Sequence, residues 1–122
     1  MKELKKTLET LIRNFPNSDE VHNAKVQLGF TYYKLSNFTQ ALEIIDEVLK
    51  NDEARKKIDT SEAYYYRLIT LADSKLYDEA IVTFEKINFF SPYYPGAVNK
   101  ICKIYSARSE FDSGEKFLIY NK

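Results

Sequence analysis

EVHNAKVQLGFTYYKLSNFTQALEIIDEVL, residues 20–49, decides how the chain is read. Val21, Ala24, Leu28, Tyr32 and Leu35 recur at three- or four-residue steps, which puts them on one face of a helix and does not fit a strand. Asn37 interrupts the pattern, and from Phe38 a second helical stripe runs through Ala41, Leu42, Ile45, Val48 and Leu49. Helices joined by a turn of about two or three residues must fold back on each other as an antiparallel pair.

The same pair returns downstream. Tyr65, Leu68, Ile69 and Ala72 mark a helix, Ser74 to Leu76 a turn, and Tyr77, Ala80, Ile81, Phe84 and Ile87 the partner helix. A third pair is expected after Pro95, with Val98, Ile101, Cys102 and Tyr105, a turn near Ser109, then Phe111, Gly114, Phe117 and Leu118. KLSNFTQAL at 34–42 and SKLYDEAI at 74–81 are therefore one turn phrase written twice. Phe38, Tyr77 and Phe111 recur roughly every 34 to 39 residues, the period of a helical repeat array. Asp59 followed by Glu62 forms a capping-box pattern, and the charged run KNDEARKKID at 50–59 reads as a solvated helix overhang or loop.

Composition agrees with this reading. Only three Gly and three Pro interrupt a chain of 122 residues that is 44% apolar, enough for one domain with a core. Eighteen basic residues balance eighteen acidic ones, so the general attraction to phosphate backbones is missing and nucleic acid is not expected as a partner. No apolar run approaches the roughly 18 residues of a membrane-spanning helix, so membrane insertion is not expected either. Cys102 is the single cysteine, which rules out an internal disulfide. Met1 opens a charged amphipathic stretch without a signal-peptide core, which as written places the chain in the cytoplasm; excised from a longer precursor, it would equally suit the periplasm or cell envelope.

These residues resemble the tetratricopeptide repeat family. Its pattern is met by Leu28-Gly29, Tyr32, Ala41 and Ile45 in the first full repeat, by Ala80, Phe84 and Pro92 in the second, and by Val98, Ile101-Cys102, Tyr105, Gly114 and Leu118 in the third. Lys25 stands where the family has Trp, and Glu53 where it has Pro. Leu4, Leu8 and Pro16 match the second helix of a partial repeat. LIRNFPNSDE at 11–20 is similar to linkers of bacterial cell-envelope tetratricopeptide proteins. The resemblance implies an all-α fold: an α-solenoid of stacked antiparallel helix hairpins, with about seven helices. It implies a single domain over 1–122, in which 1–16 is the second helix of a partial repeat, 20–53 and 60–92 are full repeats and 95–122 is a third, either whole or truncated. Small residues at Gly29, Ala41, Ala80, Cys102 and Gly114 are expected where helices approach closely.

Catalytic chemistry finds little footing. His22 beside Asp19 and Glu20 reads as a polar first turn of a helix, Cys102 as a small core residue, and Glu43, Asp46 and Glu47 as solvated charge. Asn37-Phe38-Thr39 matches a glycosylation pattern but reads as a turn before a packed ring. No enzyme activity, cofactor or metal is expected.

By the resemblance, the first helices of successive pairs line a concave groove, into which Asn23, Val26, Phe30, Tyr33, Tyr66, Thr70, Asp73, Asn99, Lys103 and Ser106 would point. Val26 and Phe30 stand where a chaperone-tail clamp would need Lys and Asn, so the implied partner is instead an apolar or aromatic peptide, or a helix, of another protein. The alternative is a structural or self-association domain packing through Phe117, Leu118 and Tyr120 at its C-terminal end.

Overall fold

The computed structural model describes residues 1–111, which form seven helices and no strand. They are α1 (Lys2–Asn14), α2 (Val21–Lys34), α3 (Phe38–Leu49), α4 (Asp52–Lys56), α5 (Thr60–Asp73), α6 (Tyr77–Phe84) and α7 (Tyr94–Phe111). The chain is all-α over this span. Each of α2, α3, α5 and α6 packs on its sequence neighbour in that series, α1 lies on α2, and α7 contacts both α5 and α6.

Local chemistry fixes the ends. Asn51 caps α4 by accepting from the Ala54 amide at 3.1 Å, so the charged run of residues 50–59 holds a short helix. Asp59 caps α5 by accepting from the amides of Ser61 and Glu62 at 3.0 and 3.3 Å. The doubled phrase turns out to be one backbone motif. After α2, the Ser36 amide donates to Tyr33 and the Asn37 amide to Tyr32; after α5, the Lys75 amide donates to Ala72 and the Leu76 amide to Leu71. Ser36 and Lys75 are the two described non-glycine residues with positive φ, at 63° and 64°. This is the helix stop in which a left-handed residue lets the next amides satisfy the last carbonyls.

That conformation predicts a gain. A left-handed L-residue is strained by about 1–2 kcal/mol, while glycine's extra unfolded-chain freedom costs about 0.5–1 kcal/mol. Lys75→Gly, at an exposed position without an ion pair among the described residues, should therefore raise stability by about 0.5–1 kcal/mol in urea unfolding followed by circular dichroism. A lowered midpoint would contradict the strain assigned to this turn.

Two apolar clusters share α5. Ala63, Tyr66 and Ile69 face Val26, Ile45, Val48 and Leu49 of α2 and α3, with Ala54. Leu68, Leu71 and Ala72 face Ala80, Ile87, Ala97, Ile101 and Ile104 toward α6 and α7. α5 is thus buried on two sides. Gly29 permits the closest approach: a Cβ there would lie 2.5 Å from Ile45 Cγ1. Arg67 ties three helices together by donating from Nε to Asp46 at 2.7 Å, bonding the Thr83 hydroxyl, and pairing with Glu79 at 3.7 Å. The Lys25–Glu47 pair, at 2.9 Å, joins the start of α2 to the end of α3, as antiparallel packing requires. The buried hydroxyls of Thr31, Thr70 and Thr83 each donate to the carbonyl four residues back.

Two expectations need correction around α7. The turn near Ser109 is absent, because α7 continues as helix to Phe111. Cys102 is exposed rather than packed: α7 turns Ala97, Ile101 and Ile104 inward, which leaves Val98, Cys102 and Tyr105 on the opposite side. Gly114, Phe117, Leu118 and Tyr120 lie outside the described residues. No helix among the described residues is long and apolar enough to cross a membrane.

Candidate functional site: a ring-lined groove across α2, α5 and α7

α5 carries consecutive rings at Tyr64, Tyr65 and Tyr66, and α2 presents Phe30 and Tyr33 on the turn of helix facing it. Phe30 stacks on Tyr66 with centroids 4.5 Å apart and on Tyr33 at 6.1 Å, inclined by 26° and 20°. The loop before α7 adds Tyr93, whose ring lies 5.5 Å from Tyr65 and edge-on to Tyr66 at 6.2 Å. That loop is tied to α5, where the Asn88 amide donates to Ser61 Oγ at 3.1 Å, and is tightened within itself by the Tyr93 amide donating to Ser91 Oγ at 3.1 Å. Gly96 clears the way for Tyr65, since a Cβ there would sit 3.1 Å from the phenol oxygen.

These rings enclose a cavity of about 420 Å³, open to solvent and closed on its other side by Asn99, Lys100 and Lys103 of α7, with Lys34 at the end of α2. Two carboxylates adjoin it, and both are engaged. Glu62 Oε2 accepts from the Tyr66 and Tyr93 hydroxyls at 2.9 and 2.7 Å, so the acid of the capping-box pattern serves the groove and not its own helix end. Asp73 accepts from the Tyr33 hydroxyl at 2.5 Å and from Lys100 at 2.8 Å. Burial works to raise the Asp73 carboxyl, but the bonds from Lys100 and Tyr33 and the charge of Lys103 outweigh it and hold the pKa below the usual carboxylate value. Lys34 lies over the Phe30 ring, 5.4 Å from its centroid.

The tyrosines respond oppositely. Burial, then the bond to Asp73, raises the Tyr33 phenol; burial, then the bond to Glu62, raises Tyr66; the Glu62 bond, then burial, raises Tyr93. Each phenol holds its proton more tightly folded than unfolded. The stability they contribute is complete below about pH 10 and is lost as pH climbs through the raised folded values. In an alkaline titration, some of the ten tyrosines should form phenolate only as the helical signal collapses. Titration of all ten before any loss of helix would contradict the bonds described.

Of the residues expected in the groove, Phe30, Tyr33, Tyr66, Asn99 and Lys103 line this cavity, and Asp73 anchors its edge through Tyr33 and Lys100. Val26 and Thr70 do not: both are fully buried, Val26 in the cluster under α5 and Thr70 with its hydroxyl on the Tyr66 carbonyl. Asn23 and Ser106 are exposed but stand outside the cavity. Lys34, Tyr65, Ile69, Tyr93, Gly96 and Lys100 complete it. The spacing of Tyr65 beside Tyr66 was a usable signal, whereas Tyr93 sits in a loop that helical periodicity does not reach.

Elsewhere, Asp19 is paired with Lys57 at 2.7 Å, and among the described residues no group of three or more His, Cys, Asp or Glu side chains is placed to hold a metal ion. Phe89 and Phe90 form an exposed edge-on pair, 67% and 88% accessible. Comparison with protein-family models, with curated proteins and with solved structures finds no match to this chain.

Proposed function

We propose that the chain is a tetratricopeptide-type α-solenoid acting as a non-catalytic protein-interaction module. In this reading the groove of α2, α5 and α7 receives a peptide or helix from a partner. The observation that carries it is the ring-lined cavity itself: five aromatic side chains, Phe30, Tyr33, Tyr65, Tyr66 and Tyr93, border one open space. Their hydroxyls at 33, 66 and 93 are already bonded to Asp73 and Glu62. The partly exposed rings of Phe30, Tyr33, Tyr65 and Tyr93, backed by the buried Tyr66, make a surface that gains by excluding water. The repeat reading is supported by the two identical turns at Ser36 and Lys75 and by helix neighbours that pack in sequence order. The non-catalytic reading is supported by the groove's carboxylates, each occupied as an acceptor for phenols.

The test is capture of a partner on the immobilised chain, compared with Phe30→Ala and Tyr33→Ala variants. Partners retained by the parent and lost by both variants support the groove; equal retention by all three contradicts it.

A second reading, self-association, is favoured by one observation: Val98 and Tyr105 stand exposed on the outer side of α7. Light scattering across a concentration series tests it, and a strictly monomeric species removes it. Its other residues, Phe117, Leu118 and Tyr120, lie outside the described span.

A further inference from the structure

We propose that the occupant of the groove is a peptide segment in which an acidic side chain neighbours an apolar one, with Lys34 and Lys103 receiving the carboxylate and the ring faces receiving the apolar side chain. This deepens the groove reading and rests on it.

Charge at the cavity differs from charge over the chain. The whole sequence is neutral, with eighteen charges of each sign. Three cations, Lys34, Lys100 and Lys103, line the groove. No carboxylate among the described residues lines it; Glu62 and Asp73 adjoin it through the phenols of Tyr66, Tyr93 and Tyr33. Glu62 accepts from two neutral phenols and keeps its negative charge, while Asp73 takes Lys100 and the Tyr33 phenol. Lys34 and Lys103 form no ion pair among the described residues. Three lysines against these two carboxylates leave a net positive charge at the cavity, beside ring faces in a partly desolvated space, where a carboxylate is attracted more strongly than in open water.

The same geometry argues against the other ligands that aromatic clusters accept. A ring of Tyr and Phe faces is also what a methylated ammonium group seeks, but here it would meet the ammonium groups of Lys34 and Lys103. A polyanionic nucleic-acid strand needs a track of cations along its backbone, and this groove offers three lysines, one of them paired with Asp73. Lys34 over the Phe30 ring places the anion-binding group and the apolar surface side by side, so one short segment reaches both. Asn99, with an amide that both donates and accepts, lines the same wall and suits a peptide backbone.

The test uses the full chain and three pools of fluorescein-labelled, N-acetylated, C-amidated dodecapeptides. The pools share apolar positions and carry Asp/Glu, Ser/Gln or Lys/Arg at the others; fluorescence polarisation gives their affinities at low and high salt. The acidic pool is expected to bind at least about tenfold more tightly than the basic pool at low salt, with the gap narrowing as salt screens it. Lys34→Glu with Lys103→Glu should abolish or reverse the preference, and Lys34→Arg with Lys103→Arg should keep it, each variant being checked for parent-like helical content. Because every peptide is amidated, a preference observed here belongs to side-chain carboxylates. Equal affinity for the three pools, or a preference for the basic one, overturns the inference. If that equal binding disappears in Phe30→Ala, the groove reading survives alone; binding by no pool overturns both.

Discussion

Ile45→Ala is expected to lower the unfolding free energy by about 3–5 kcal/mol, the upper part of the range for deleting a buried aliphatic side chain. Ile45 is fully buried and belongs to the cluster that joins α2, α3 and α5. It is also the side chain that Gly29 admits, with the glycine position 2.5 Å from Cγ1 on an ideal Cβ. When the isoleucine is truncated, α2 cannot simply close the gap, because the Lys25–Glu47 pair and the tight turn at Ser36 hold the two helices in register. The lost transfer energy and the residual cavity therefore add. Domains of this size are stable by about 5–15 kcal/mol in total, so the variant should approach the edge of folding at room temperature. Urea unfolding followed by helical circular dichroism measures it, with Ile45→Val as the graded control at about 0.5–1.5 kcal/mol. A loss below about 1 kcal/mol for the alanine variant would mean that this helix contact is not the centre of the first cluster.

Phe30→Ala should weaken capture of a groove ligand by about 2–4 kcal/mol, or roughly 30- to 1,000-fold in affinity. Phe30 is the ring on which the groove converges: it stacks on Tyr66 and Tyr33 and carries Lys34 over its face. Removing it takes away apolar contact area and the surface that positions the lysine. Because Phe30 is only partly buried against the core, its loss should cost the fold less than its loss costs binding. Val82→Ala, on an exposed side chain of α6, is the matching control and should bind as the parent does. Circular dichroism separates a binding defect from an unfolding one.

The helical organisation was legible in the sequence because the apolar steps of three and four residues in 20–49 report the buried stripes directly. The doubled turn phrase was legible for the same reason, and its two left-handed residues explain why it recurs. The site was only partly legible. Phe30, Tyr33 and Tyr66 follow from register, but Val26 shares their stripe and is nevertheless buried, because α5 covers that part of α2 before the groove opens. Thr70 fails for a related reason: α5 is enclosed by both clusters, so a polar residue on it need not face solvent. Tyr93 was not legible at all, since its place depends on the pinned loop before α7 and on the shared acceptor Glu62. Cys102 misled because a small residue on a helical stripe looks like a packing contact wherever a covering helix is assumed.

The central claim, that recognition occurs in the groove of α2, α5 and α7, is tested most directly by residue-resolved NMR of the isotope-labelled chain titrated with the tightest peptide of the acidic pool. The account predicts that the largest shift changes fall on Phe30, Tyr33, Tyr66, Asn99 and Lys103. Changes concentrated instead on Phe89 and Phe90 or on the outer face of α7, with the groove resonances unmoved, would contradict it.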